Sequence, residues 1–65
     1  MIVVNGKEHS VPTDTTVQAL LGELEISPLG VAVAVDRKVV PRGEHAQTVL
    51  YKGSVVEIIR AVGGG

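Results

Sequence analysis

The sequence closes on Gly63-Gly64-Gly65, directly behind a run of branched aliphatic residues. A carboxylate on glycine has no Cβ beside it, so it can enter a narrow channel in another protein and be approached from either face. A free carboxylate is a poor electrophile. Adenylation by ATP turns one of its oxygens into a leaving group, and the acyl carbon can then be attacked by a thiolate or persulfide. Glycine-rich ends also occur as plain flexible tails. Three glycines immediately after a strand favour the reactive end, with Gly65 as its working group.

The other chemistry-bearing residues are sparse. His9 and His45 have no Cys, Asp or Glu partners at metal spacing, so both read as solvated surface residues, and no metal is expected. Arg42 suits a partner's carboxylate or phosphate, and equally suits an ordinary surface cation after a strand. The glycines lack the following helix that a phosphate-cradling loop needs, so the chain is expected to bind no nucleotide or other cofactor itself. No nucleophile–base pair or carboxylate pair can be assembled, which argues against an independent enzyme.

Composition limits what can position these groups. Sixty-five residues make one domain with a thin core, and without cysteine there is no disulfide to staple it. The core must come from Val, Ile, Leu and Ala, because Tyr51 is the single aromatic. A formal charge of −1 with scattered Lys and Arg excludes the basic stripe of a nucleic-acid binder. No apolar run approaches the roughly 20 residues of a membrane span, and the start lacks a signal peptide's pattern, so a cytoplasmic location is expected.

Along the chain, Met1–Val4, the Asn5-Gly6 turn signal and Glu8–Val11 predict a hairpin that stops at Pro12. Thr15, with Gln18 three residues on, predicts a capped helix start. Val17, Leu20, Leu21 and Leu24 then form one stripe of a 3.6-residue period, and Pro28 and Gly30 end the segment. The alternation in Val31–Val35 predicts a strand with its valines toward the helix. Asp36-Arg37 should turn into a short strand, Lys38–Val40, closed by Pro41. Residues 42–49 read as an irregular crossover with room for one helical turn. Ser54–Val62 reads as a long central strand, with Val56 and Ile58 inward. Val55, Glu57 and Ile59 then face away from the helix, and Val55 and Ile59 form a candidate docking patch. One amphipathic helix must bury its stripe on one sheet face, giving a two-layer α+β domain. With the last strand parallel to the first and the helix in a right-handed crossover between them, this is a β-grasp with a mixed sheet over residues 1–62 and a flexible tail at 63–65.

The chain resembles the ThiS family of sulfur carriers over essentially its whole length. The resemblance rests on Asn5-Gly6, Thr16-Val17, Leu20-Leu21, Gly30–Val35, Val40-Pro41-Arg42, Ala46-Gln47, Gly53 and Gly64-Gly65. The Val-Pro-Arg triplet and the terminal diglycine are its specific parts. The family pattern has a tryptophan near position 45, where this chain has His45. The resemblance implies a ubiquitin-like carrier whose C-terminal carboxylate becomes a thiocarboxylate for the thiazole of thiamin. A chain without a thiol must carry sulfur on an acyl carbon. The implied partners are a ThiF-like adenylyltransferase, which uses the ATP, a ThiG-like thiazole synthase, and a sulfur donor such as a cysteine desulfurase. Gly63, Gly64, Val55, Ile59 and Arg42 would contact them. The same tail also fits a MoaD-like carrier, a carrier for cysteine or methionine synthesis, or a ubiquitin-like protein modifier. A plain interaction module with an incidental tail is the reading outside that class.

Overall fold

The structure is a computed structural model that describes residues 1–60. The expectations for Ala61, Val62 and the Gly63–Gly65 tail lie outside the described residues.

Strands β1 (Ile2–Val4) and β2 (Lys7–His9) pair antiparallel around Asn5-Gly6. Both turn residues have positive φ, 48° and 83°, as a type I′ turn requires. The return strand is shorter than expected. It ends at His9, and Val11 leaves the ladder to pack against the core instead.

Helix α1 (Val17–Glu23) is capped one residue later than expected, by Thr16. The Thr15 hydroxyl is committed to the Pro12 carbonyl at 2.6 Å, so the cap passes to Thr16, whose Oγ1 accepts from the Ala19 N–H at 3.1 Å. Gln18 completes no capping box. Its backbone N–H donates to the His45 carbonyl at 3.1 Å, and that of Val17 donates to the Thr48 carbonyl at 2.9 Å. The crossover thus satisfies helix donors that would otherwise be orphaned. The far end closes before Pro28. Glu25 takes φ 58°, its N–H bonds the Gly22 carbonyl, and the Ile26 N–H bonds the Leu21 carbonyl. These are the paired bonds of a Schellman motif, made here without glycine.

Strands β3 (Val31–Val35) and β4 (Lys38–Val40) form a second hairpin whose turn residues, Asp36 and Arg37, both have positive φ. A single 3-10 turn (Arg42–Glu44) follows Pro41, and β5 (Val55–Arg60) completes the sheet. Strand order is β2-β1-β5-β3-β4, with β5 parallel to β1 and antiparallel to β3. The last strand is central, as its sequence predicts, and the mixed sheet with one helix is a β-grasp.

The helix stripe meets the sheet in one cluster of Ile2, Val4, Val17, Leu20, Leu21, Val33, Leu50 and Val56, with Leu24, Val31, Val35 and Ile58 packed at its margin. Burying each large aliphatic is worth about 1.5–3 kcal/mol. Leu50 joins this core from an irregular segment, tied by its N–H to the Thr15 carbonyl at 2.7 Å. Among the described residues no helix is long and apolar enough to cross a membrane.

Candidate functional site

Strand β5 leads toward Gly63–Gly65, so the groups that hold and surround it define the candidate site. Its alternation puts Val56 and Ile58 toward the helix and leaves Val55, Glu57 and Ile59 on the open face of the sheet. The register extends that face sideways. Ala32 lies opposite Ile59, Ala34 opposite Glu57, Val39 opposite Ala34, and Val3 opposite Val55. Val55, Val39 and Ile59 are 44%, 72% and 60% exposed. The result is an apolar surface on four neighbouring strands, β1, β5, β3 and β4, with Glu57 inside it. Sequence reasoning found its β5 residues. It missed Val39 and Val3, because a three-residue strand has too little alternation to assign its faces.

Both flanks hold β5 firmly. At its start the Asp36 N–H donates to the Val55 carbonyl at 2.8 Å, and Asp36 Oδ1 accepts from the Val55 N–H at 2.9 Å. Further along, Asn5 Oδ1 accepts from the Ile58 N–H at 2.8 Å, and Asn5 Nδ2 donates to the Ile58 carbonyl at 3.3 Å. A surface carried on a doubly held strand is preorganised, with little ordering entropy left to lose in any contact it makes.

The remaining expected residues lie elsewhere. Arg42 is exposed on the 3-10 turn and lines a groove with Gln18, Leu21, Ile26, Pro28 and His45, which shares no residue with the open sheet face. Gly63, Gly64 and Gly65 lie outside the described residues. His45 is not the solvated side chain expected for it. It is 5% exposed, and its Nε2 donates to the Val40 carbonyl at 3.2 Å. The crossover must fold back to place the His45 carbonyl over the helix start, and that brings the imidazole under the loop. His9 is half-buried on β2. Among the described residues no group of three His, Cys, Asp or Glu side chains could hold a metal ion.

The chain is 39% identical over 64 residues to a thiazole synthase of Paramagnetospirillum magneticum and 36% identical to one of Magnetococcus marinus, covering 98% of this chain in each case. It spans only 20% of the length of those two relatives. It is 28% identical to the sulfur carrier protein ThiS of Escherichia coli, covering 98% of this chain and 97% of that protein. Its structure matches the crystal structure of a thiamine biosynthesis protein (ThiS) from Geobacter metallireducens with a TM-score of 0.85 and 30% identity, over 98% of this chain and 97% of that one. The ThiS family model matches residues 2–65, and the chain belongs to the ThiS family.

Proposed function

We propose that this chain is a sulfur carrier in thiamin synthesis, a substrate of enzymes and not itself a catalyst. A carboxylate oxygen of Gly65 attacks the α-phosphate of ATP in the active site of a ThiF-like adenylyltransferase, and pyrophosphate leaves. The terminal sulfur of a persulfide, supplied through a cysteine desulfurase, attacks the acyl carbon and displaces AMP. A second thiol then opens the acyl disulfide, releasing the thiocarboxylate and forming a disulfide between the donor sulfurs. A ThiG-like thiazole synthase takes the sulfur. ATP serves the partner enzyme, this chain holds no cofactor of its own, and the reaction belongs in the cytoplasm. Gly63 and Gly64 thread the end into the partner, while Val55 and Ile59 grip its surface. Arg42, on a separate groove, would serve a second contact.

The observation that carries this reading is the nearly end-to-end similarity to the Escherichia coli sulfur carrier, 98% of this chain against 97% of that one. Similarity to two thiazole synthases favours thiazole formation over molybdopterin or amino-acid synthesis as the sulfur's destination. The test is intact mass spectrometry after incubation with the adenylyltransferase, ATP and a persulfide donor. One oxygen should be exchanged for one sulfur at the C-terminus. A variant lacking Gly65 should show no exchange and melt where the parent does. Normal turnover of that variant would remove Gly65 as the working group. Higher-mass conjugates to lysine would point to a protein modifier instead.

A further inference from the structure

In a parallel pair of strands, each residue facing the neighbour donates its N–H to one residue of the other strand and accepts from the residue two further on. Strand β1 follows this pattern along β5. The Val3 N–H donates to the Ser54 carbonyl and the Asn5 N–H to the Val56 carbonyl, each at 2.9 Å. The next rung would join the Ile58 N–H to the main-chain carbonyl of residue 5, and the Ile58 carbonyl to the N–H of residue 7. Neither bond is possible, because the chain turns away at Asn5 with φ 48° and Lys7 already runs back along β1 as the partner of Val4. The Asn5 side chain supplies both halves of the missing rung. Its Oδ1 takes the place of the carbonyl and its Nδ2 the place of the N–H, at 2.8 and 3.3 Å. A carboxamide has the donor and acceptor of a peptide unit, and asparagine also tolerates the left-handed conformation of the turn.

We infer that Asn5 is a positioning residue for the reaction at the C-terminus, through its side-chain rung to Ile58. The inference rests on the proposed carrier role. Without the rung, and apart from the packing of the Ile58 side chain at the core margin, β5 beyond Val56 keeps backbone pairing among the described residues only with β3, where Ala32 pairs with Ile59 and Val31 with Arg60. A strand held along one edge can pivot in the plane of the sheet. Gly65 follows Ile58 by seven residues. A shift of the strand end from which the chain runs on to Gly65 changes how the carboxylate is presented, and a misplacement of about 1 Å can cost 10²-fold in rate. The docking face moves less than the strand end, since Val55 is tied by Asp36 and Ile59 sits beside the pivot, paired with Ala32 of β3.

Asn5→Gly tests this, because glycine keeps the turn's backbone and deletes only the carboxamide. Hydrogen exchange at the Ile58 amide should accelerate, while that at Val33 should not. The affinity of the adenylyltransferase, measured by calorimetry, should stay within about twofold of the parent, and kcat for adenylation should fall at least about tenfold. Asn5→Asp keeps the acceptor half of the rung and should recover part of kcat. Parent kcat in Asn5→Gly, or an unchanged Ile58 exchange rate, would overturn the inference. A parent chain that is never adenylated would instead sink the carrier reading, and the inference with it.

Discussion

Among individual residues, Glu25 holds a conformation that its side chain disfavours. It sits at φ 58° behind α1, where helices usually end on glycine. A left-handed non-glycine residue costs roughly 1–2 kcal/mol, part of which glycine's greater unfolded-state entropy takes back. Glu25→Gly should therefore raise stability by about 0.5–1 kcal/mol, and thermal unfolding should shift upward by a few degrees. An unchanged or lower midpoint would mean that the Glu25 side chain supports the helix end in some other way. His45 shows where single residues were not legible in advance. Nothing in its neighbours' types marks it for burial. Burial follows from the crossover closing over the helix start, a contact between segments nearly thirty residues apart along the chain. The paired threonines are a milder case. Either can cap a helix, and the choice of Thr16 turns on the Thr15 hydroxyl having found the Pro12 carbonyl.

The elements were legible where their signals are local. Asn5-Gly6 marks a turn by its own backbone preferences, and the stripe of Val17, Leu20, Leu21 and Leu24 marks a helix face by period alone. The first three are buried, while Leu24 lies past the helix as its C-cap and packs half-buried at the core margin. The inward and outward faces of β5 likewise follow from its alternation. Leu50 escaped because it reaches the core from a stretch with no period to read. The helix spans only Val17–Glu23, about two turns, so it depends on tertiary packing more than on its own propensity. Leu21 is 2% exposed in the core cluster and closes the helix end through its carbonyl. Truncating a buried leucine costs about 2–5 kcal/mol, and a core this small supplies only roughly 3–5 kcal/mol in all. Leu21→Ala should leave the protein partly or largely unfolded at room temperature by circular dichroism. A variant with the parent's melting temperature would show that the helix contributes little to the core.

For the molecule as a whole, the two sheet faces differ, one packed against α1 and the other open. The carrier reading needs that open face to dock. Ile59 is 60% exposed, so Ile59→Asp removes no buried contact and should melt within a few degrees of the parent. It should weaken binding to the adenylyltransferase at least about tenfold, as when a charge enters the apolar centre of an interface. Equal affinity for parent and variant by calorimetry would move the docking surface elsewhere, with the Arg42 groove the next place to look.

The central position of β5 also bears on how the chain reaches its fold. The strand that joins the two hairpins is the last of the described strands, and its bond to Asn5 spans 53 positions in sequence. Until residues 55–60 have been synthesised, β1-β2 and β3-β4 have nothing between them, and an isolated two-stranded hairpin is marginal in water. Folding must then close a loop of most of the chain in one step, the kind of high-contact-order event that slows a small domain. A nascent or truncated chain that lacks this strand loses the middle of its sheet and not merely an edge, so the same residues that lead to the tail decide whether there is a folded domain to carry it.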